Sequence, residues 1–294
     1  MSIRSKIKNK VRQVLNVEDR LQRMQEALGR IEARQLSQSP VQSLIEAEFR
    51  VFSQGGEDGI IQNLISRLDI GRKIFVEFGV QNYVESNTRF LLINNNWSGL
   101  VIDGGEEYIQ YIRNDPIYWR YNLKSECAFI TKDNINSLIA RNGINGEIGL
   151  LSVDIDGNDY WVWEAIDVVQ PVITVVEYNA RFGAEISVAI PYSPNFVRAQ
   201  AHPSMLYFGA SLQALCHLGR RKGYAFVGCN STGNNAFFVR RDRLPADLPE
   251  LSARDGYVRN QFRETRDSAG QLTFESPDTA QVVPASLPLV MIDP

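Results

Sequence analysis

The segment Leu150-Leu151-Ser152-Val153-Asp154-Ile155-Asp156-Gly157-Asn158-Asp159-Tyr160 carries the most information about the architecture. A mostly apolar run of this kind is typical of a strand buried on both faces of a parallel sheet. Ligands of such sheets bind beyond the carboxyl ends of the strands. Asp154 and Asp156 are two residues apart and would share one face if the strand continued. A strand that ends in an Asp-Gly turn, with carboxylates capping the next helix, explains the same residues. The segment therefore predicts either a site or a turn at a strand end.

The composition indicates a folded, soluble protein with one large domain or two small ones. Of its 294 residues, 44% are hydrophobic and 22% are charged. The net charge of -3 makes nucleic acid an improbable partner, since phosphate binding needs a basic surface. Three scattered cysteines without a CxxC pair favour reduced thiols and a cytoplasmic location. With only two histidines, a His-rich metal site is excluded.

Residues 1–38 predict an N-terminal helix with a heptad seam. Its apolar residues follow alternating steps of three and four: Val14, Val17, Leu21, Met24, Leu28 and Ile31. We expect a coiled coil that joins subunits into a homo-oligomer, dimer or trimer; an amphipathic helix packed on its own domain is the alternative. The basic, amphipathic first turns suit an anionic membrane surface or a glycan-assembly partner, which would place the protein peripherally at the inner face of the membrane, but a solvated helix end explains them equally.

The rest of the chain alternates between strand and helix patterns, which indicates an α/β fold with a parallel sheet. A polar break at Gln35–Pro40 precedes a main domain over residues 39–245, and a polar, proline-bearing C-terminal extension of mixed order covers 246–294. The predicted strands are 73–80, 97–104, 127–131, 148–153 and 172–179, followed by a hairpin of strands 224–230 and 235–240.

Polar residues and glycines follow the strand ends and mark the candidate site. Glu77 and Gly79 end the first strand, Asp103 ends the second, and Glu177 and Asn179 end the fifth. A dinucleotide-binding fold would normally show G-x-G-x-x-G after its first strand, because a pyrophosphate needs bare backbone. Only one glycine is present there, which favours a nucleoside ligand without a pyrophosphate. Ahead of the first strand, the segment around Gln54 and Asp58 is either a ligand-binding loop or a helix N-cap.

The motifs as a set resemble those of FkbM-type class I S-adenosylmethionine-dependent methyltransferases, over roughly residues 50–242. The resemblance is carried by Phe52-Ser53-Gln54…Glu57-Asp58-Gly59, Phe75-Val76-Glu77-Phe78-Gly79, Asn87-Thr88, Trp97-Ser98-Gly99…Ile102-Asp103-Gly104, Asp154-Ile155-Asp156-Gly157-Asn158-Asp159, Glu177-Tyr178-Asn179 and Gly209-Ala210-Ser211-Leu212. It implies a Rossmann-like seven-stranded sheet with helices on both faces, in which the fourth strand lies between the first and the fifth.

The resemblance also implies an activity and assigns site residues. S-adenosylmethionine would be bound by Gln54, Asp58, Glu77, Gly79, Asn87, Thr88 and Asp103. A Mg²⁺ ion, or another divalent cation, would be held by Asp154, Asp156, Glu177 and Asn179, since hard oxygen ligands suit it. The expected reaction is O-methylation of a sugar hydroxyl on a bacterial surface polysaccharide or glycosylated natural product.

Several alternatives remain open from the sequence. Asp154, Asp156 or His202 is the candidate base, although a histidine in a proline-rich loop is more often structural. One aspartate could act as a base without metal, while the others make structural hydrogen bonds. The whole chain could instead be an NAD-dependent Rossmann-type enzyme, or a coiled-coil scaffold with a degenerate methyltransferase domain.

Overall fold

The computed structural model describes residues 3–39, 41, 43–274 and 287–294, with only the backbone described for residues 3–16, 18 and 19. Its helices are α1 (Ile3–Gln38), α2 (Glu57–Arg67), α3 (Arg89–Asn95), α4 (Glu106–Asn114), α5 (Pro116–Arg120), α6 (Ile135–Arg141), α7 (Asp159–Ala165), α8 (Arg198–Ala201), α9 (Leu212–Arg221) and α10 (Ala253–Gly256). Its strands are β1 (Ile74–Phe78), β2 (Ser98–Asp103), β3 (Leu123–Cys127), β4 (Gly146–Val153), β5 (Val169–Glu177), β6 (Val188–Ala189), β7 (Tyr224–Cys229), β8 (Asn235–Arg240) and β9 (Val290–Met291).

Seven strands form one sheet in the order β3-β2-β1-β4-β5-β8-β7. The strands β1 to β5 are parallel to one another, and β8 runs antiparallel between β5 and β7. The chain therefore has the Rossmann-like fold of class I methyltransferases, as the resemblance implied. The order reverses between β1 and β4, and this switch point is where ligands bind in open α/β sheets.

Apolar side chains on both sides of the strands explain why helices cover both faces of the sheet. Alternate residues of a strand point to opposite faces: Val76 and Phe78 belong to the core beneath α6, α7 and α9, and Phe75 belongs to the core beneath α2 to α5. Since neither face is polar, an uncovered sheet would expose a large apolar area to water. Helices on both faces, as predicted, follow from this pattern.

The third strand is the part of the fold that the sequence placed wrongly. It spans Leu123–Cys127 instead of the predicted 127–131. As an edge strand it buries Leu123 and Ser125 while leaving Lys124 in water, so its sequence lacks the apolar run of a central strand. The apolar residues that suggested a strand, from Ala128 onwards, form the loop after it.

Helix α1 lies on the domain through its C-terminal half, where it packs against α2. Gly29 faces Val51 so closely that a Cβ atom on Gly29 would lie 2.3 Å from a Val51 methyl group. The Gln25 side-chain amide donates to the Val51 carbonyl. A small residue and a polar bond, and not the apolar seam, therefore attach this helix to its own domain.

The apolar seam of α1 points away from the domain. Five seam residues remain more than half exposed: Val17 54%, Leu21 58%, Met24 62%, Leu28 62% and Ile31 51%. The helix therefore packs on its own domain, as the alternative predicts, but not through the described part of the seam. Val14 and the basic first turns fall among the side chains that lie outside the described part. The coiled coil and the membrane or partner contact stay predictions, and no helix within the described ranges is both long and apolar enough to cross a bilayer.

We expect the double variant Leu21→Glu, Leu28→Glu to lower the oligomeric state to a monomer. Charges at two a/d-type positions of a heptad seam oppose association, whereas both side chains are exposed in the single chain. Light scattering after size exclusion gives the mass, and the melting temperature should stay within about 2 °C, since surface changes rarely exceed ~0.5 kcal/mol. Arg23→Glu and Glu26→Arg together, off the seam, serve as the matched control. An unchanged mass in the seam variant would refute the coiled coil.

The C-terminal extension begins as part of the domain and not as a separate tail. The Tyr178 hydroxyl donates to the Val258 carbonyl, and the Tyr257 hydroxyl donates to the Ala180 carbonyl at 2.8 Å. The Gln261 backbone N–H donates to the Thr232 carbonyl in the β7–β8 turn. These bonds fix residues 257–264, here called the C-terminal wall, over the carboxyl end of β5.

Candidate active site

Three adjoining cavities open at the carboxyl ends of the central strands, and Gly79, Gln81 and Asp154 line all three. We name them by their linings. The aromatic cavity (about 290 Å³) is lined by Asp103, Tyr108, Phe129 and Phe196. The polar cavity (about 150 Å³) is lined by Gln54, Glu77, Asn87 and Asn235. The arginine cavity (about 330 Å³) is lined by Glu177, Arg181, Arg198, Phe262 and Arg263.

Gly79 allows the three cavities to meet. Its φ of 68° lies in the left-handed region, and a Cβ atom would stand 1.7 Å from the Asp154 carbonyl oxygen. Its N–H donates to the Ile102 carbonyl at 3.0 Å, which ties the end of β1 to β2. A side chain at this position would push β1 and β4 apart at the switch point.

Asp103 organises the turn that forms the floor of the aromatic cavity. One carboxylate oxygen accepts from the Gln81 N–H at 2.7 Å, and the other accepts from the Gly105 N–H at 2.8 Å. Each oxygen keeps a further lone pair, so the carboxylate can still accept a hydroxyl. Asp103 is therefore placed to accept from a ribose, with Tyr108 and Phe129 in the same lining for a base.

Glu77 lies in the wall of the polar cavity and holds the loop before α3. Its carboxylate accepts from the Asn87 N–H at 2.8 Å and from the Thr88 N–H and hydroxyl. Burial raises the pKa of Glu77 to about 7 in spite of these bonds. Asn87 donates from its side chain to the Ser152 hydroxyl. Thr88 is fully buried and belongs to this support, not to the described lining of the cavity.

Of the two predicted contacts before the first strand, Gln54 lines the polar and arginine cavities, but Asp58 does not line any of the three. One Asp58 oxygen accepts from three backbone N–H groups, those of Val51, Phe52 and Ser53, at 2.7–2.8 Å. Burial raises the pKa of this carboxyl to about 6. Asp58 therefore acts by shaping the loop that presents Gln54.

Three carboxylates meet where the polar and arginine cavities join the end of β4. Asp154, Asp159 and Glu177 offer oxygen atoms that all lie within 4.8 Å of one another. This set is called the carboxylate cluster below. Oε2 of Glu177 is buried and has no hydrogen-bond donor among the described residues. A buried carboxylate needs a hydrogen-bond donor, a proton or a cation nearby. The three carboxylates of the cluster therefore fit a divalent cation, which prefers oxygen ligands.

The structure brings together Asp154 and Glu177 as predicted, with Asp159 in place of Asp156. Asp159 accepts from the Ile155 and Gly157 N–H groups at 2.8 and 2.9 Å, which folds the turn after β4 back on itself. Asp159 therefore closes the turn, but it does not cap the next helix as the alternative predicts, and the N-cap residue Asn158 makes no side-chain capping bond to α7. Asp154 faces the cavities.

Asp156 turns away from the cluster. Its φ of 56° is left-handed, and its side chain is 60% exposed while paired with the Arg198 guanidinium. Arg198 stacks on the Phe208 ring at 3.7 Å and donates from Nε to the Met205 carbonyl. The arginine therefore joins the long loop 184–208 to the turn after β4.

Two other predicted residues have structural contacts instead of site contacts. The Asn179 amide donates to the Leu206 and Phe208 carbonyls and accepts from the Arg181 N–H, and Asn179 is 1% exposed. His202 accepts from the Ser204 N–H and does not line any of the three cavities. The structure thus places neither Asn179 as a metal ligand nor His202 as a base.

Burial is the main reason why the pKa values of the three cluster carboxyls are raised. It raises the pKa of Asp154 and of Glu177 well above their ordinary values, and neighbouring carboxylates raise both further. Burial also raises the pKa of Asp159 to about 6, against three backbone hydrogen bonds that lower it. Without a cation, burial and the neighbouring carboxylates therefore favour the protonated forms of the cluster.

We expect the metal-free protein to lose stability as the pH rises from about 5 to 8. A carboxyl whose pKa is raised on folding binds its proton more tightly in the folded state, so its stabilising contribution is present at low pH and disappears through the folded pKa. This pH range follows from the pKa values in the folded protein, which are about 6 for Asp58 and Asp159 and about 7 for Glu77. Differential scanning fluorimetry should show a decrease of about 5–10 °C, at ~2–4 °C per kcal/mol.

Mg²⁺ should reverse that decrease at pH 8 and have little effect at pH 5.5, because metal ligands must be deprotonated. NaCl at equal ionic strength is the control for screening. An equal Mg²⁺ effect at both pH values would argue against binding at the cluster.

Sequence reasoning missed three groups of site residues. Asp159 sits in the quoted segment, but only the left-handed turn at Asp156 brings it back to the cluster. Arg198 lies in a loop without any motif. Phe262 and Arg263 belong to the C-terminal wall, whose place over β5 depends on the tyrosine bonds to Val258 and Ala180 described above.

Comparisons with known proteins find only distant structural likenesses. No known family and no curated protein sequence matches the chain. The chain is similar in structure to the N-terminal domain of EvdMO1 with SAH bound, at 11% identity and a TM-score of 0.36 over 57% of this chain and 73% of that one. It is also similar to an S-adenosylmethionine-dependent methyltransferase from Clostridium acetobutylicum (10% identity, TM-score 0.40, 62% and 89% covered) and to the CurJ carbon methyltransferase (10%, 0.41, 63% and 52%). At such values, no residue role is transferred from these proteins.

Proposed function

We propose that the protein is an S-adenosylmethionine-dependent O-methyltransferase that methylates a hydroxyl group of a sugar, with a divalent cation such as Mg²⁺ at the carboxylate cluster. The acceptor would be a glycan, such as a bacterial surface polysaccharide or a glycosylated natural product. The observation that carries the proposal is the cluster of three carboxylates, which lies where the aromatic and polar cavities meet the arginine cavity.

The aromatic and polar cavities suit the two halves of the methyl donor. Asp103 can accept from the ribose, and aromatic side chains beside it can contact the adenine. The polar cavity offers Gln54, Asn87 and Asn235 to an amino-acid group. Gly79 lies between the two cavities, so the donor's reactive centre would lie near Asp154. Methyl transfer then depends chiefly on the alignment of donor and acceptor.

The carboxylate cluster fits a divalent cation by its chemistry. Oxygen atoms within 4.8 Å of one another correspond to ligands at about 2.1–2.6 Å from one ion. A bound cation would lower the pKa of a sugar hydroxyl that it coordinates. We assign Asp154 and Glu177 to holding the ion, while Asp159 braces the turn.

Asp156 is the proposed proton acceptor. It lines the arginine cavity, is 60% exposed and lies outside the cluster, so it need not act as a metal ligand. Its Oδ1 accepts from Arg198, which leaves Oδ2 to receive the hydroxyl proton. The orientation of Asp156 is set by its left-handed backbone and by Arg198.

Titration calorimetry with S-adenosylhomocysteine and with NAD tests the donor assignment. We expect S-adenosylhomocysteine to bind and NAD to give no heat; the reverse result would overturn the proposal in favour of a dehydrogenase. Methyl transfer from labelled S-adenosylmethionine to a panel of oligosaccharides tests the reaction. Activity that survives EDTA and does not rise with added Mg²⁺ would refute the metal assignment, and donor binding without any transfer to the panel would favour a degenerate scaffold.

A further inference from the structure

The arginine cavity has a wall that the donor site does not need. Its carboxylates and arginines come from β4, β5, the loop 184–208 and the C-terminal wall. The Arg181 guanidinium donates to the Phe262 carbonyl, and the Asn260 side chain accepts from the Phe262 N–H. Phe262 and Arg263 are therefore held in position before any ligand arrives, which reduces the entropy lost on binding.

The charge of this cavity changes sign when the site is loaded. Four carboxylates line it, those of Asp154, Asp156, Glu177 and Glu264, against the three guanidinium groups of Arg181, Arg198 and Arg263. Fully ionised, the empty lining carries one net negative charge, and a divalent cation changes this to one net positive charge. Asp159 of the cluster and Arg266, which pairs with Glu264, lie outside the lining, and their charges cancel each other. The sulfonium of the methyl donor adds a further positive charge nearby. A loaded cavity would therefore attract an anion.

Arg263 is the group best placed to bind that anion. Its guanidinium donates to the Phe274 carbonyl at 2.7 Å and pairs with no carboxylate of the described chain, whereas Arg198 is paired with Asp156. Beside it, Phe262 leaves 43% of its surface exposed. An aromatic face next to a guanidinium is suited to a sugar ring that carries a carboxylate or a phosphate.

We propose that the acceptor is an anionic sugar, a hexuronate or a sugar phosphate, whose ring packs on Phe262 and whose charged group binds Arg263. This inference rests on the proposed function and specifies its acceptor. The hydroxyl that receives the methyl group points to the carboxylate cluster, and the anionic group points to the C-terminal wall. A neutral sugar would leave the net positive charge of the loaded cavity without a counter-charge.

Calorimetry on the full chain loaded with Mg²⁺ and S-adenosylhomocysteine tests the proposal. The probes are matched methyl glycosides, neutral and acidic: glucoside with glucuronide, galactoside with galacturonide and mannoside with mannuronide, together with the three hexose 1-phosphates. We expect at least one acidic probe to bind about tenfold more tightly than its neutral counterpart. The uronides and the phosphates distinguish the two anion sources. If no acidic probe exceeds its neutral counterpart, the proposal is wrong.

Variants identify the residue that recognises the anion. Arg263→Gln should lose the tenfold preference and leave binding of the neutral sugar within about twofold, and Arg263→Lys should restore part of the preference. Arg254→Gln, 82% exposed and outside the cavity, is the matched control. If Arg263→Gln weakens neutral and acidic probes equally, the residue is structural and the assignment fails. S-adenosylhomocysteine binding is measured in the same samples: its absence would refute the proposed function, whereas its presence without an acidic preference refutes only this inference.

Discussion

Asp154→Asn should reduce the turnover of methyl transfer by about a thousandfold or more, while the protein stays folded. The substitution keeps the shape of the side chain but removes the charge at the centre of the carboxylate cluster. A metal-assisted step that loses its ligand is expected to lose several kcal/mol of transition-state stabilisation, and about 1.4 kcal/mol corresponds to a factor of ten. Initial rates with saturating donor and Mg²⁺ provide the measurement.

We expect Asp154→Asn to stabilise the metal-free protein, although it lowers the activity. Burial and neighbouring carboxylates raise the pKa of Asp154, so its ionised form destabilises the metal-free fold. At pH 8 without metal, Asp154→Asn should melt at the wild-type temperature or above it, and the Mg²⁺-dependent rise should disappear. Asp133→Asn, an exposed carboxylate outside the cluster, is the control and should behave as wild type. More than a tenth of the wild-type turnover in Asp154→Asn would show that the cluster is not catalytic.

Gly79→Ala should abolish detectable binding of S-adenosylhomocysteine and lower the melting temperature by about 5–10 °C. The added methyl group would stand 1.7 Å from the Asp154 carbonyl oxygen, so β1 and β4 must separate at the donor site. Left-handed backbone costs a residue with a side chain roughly 1–2 kcal/mol, and the collision with backbone adds to this. Calorimetry and thermal melting measure the two effects.

Gly223→Ala is the matched control, because it separates backbone strain from the collision. Gly223 has a φ of 83°, but a Cβ atom there would meet no atom within 4 Å. We expect a decrease of only a few degrees and unchanged binding of S-adenosylhomocysteine. If both alanine variants bind it equally well, the close approach of Gly79 to Asp154 has no role in the donor site.

The sheet could be predicted from the sequence because its central strands are buried on both faces. Each central strand is a run of apolar residues that ends in a polar group, as in Ile74–Phe78 and Gly146–Val153, and periodicity detects such runs. The edge strand Leu123–Cys127 escaped detection because only two of its five side chains are buried, those of Leu123 and Ser125. Its true position is determined by pairing with β2, which is a tertiary interaction.

The candidate site was predicted less completely, for reasons of geometry. Polar residues at strand ends could be assigned to one edge of the sheet, and Asp154 and Glu177 do meet there. Which carboxylate of the turn joins them depends on the left-handed φ of Asp156, and spacing along an extended strand cannot show this. The position of Asn179 after a strand end predicts a metal ligand, but its side-chain amide donates hydrogen bonds to the carbonyls of Leu206 and Phe208 in the long loop.

In the proposed function, the methyl donor and the acceptor are bound by residues from different parts of the chain, because the C-terminal wall forms one side of the arginine cavity. The aromatic and polar cavities are lined mainly by residues between Gln54 and Asn158. Phe262 and Arg263 of the arginine cavity come from a segment attached through two tyrosine hydroxyls and a few backbone bonds. Substitutions in that segment could alter acceptor choice during evolution without disturbing the sheet. A recombinant version cut after residue 245 would keep all seven strands of the sheet but lose the C-terminal wall of the arginine cavity and the core contacts of Ala253, Tyr257 and Val258. Truncation experiments therefore need to keep the chain at least through Glu264.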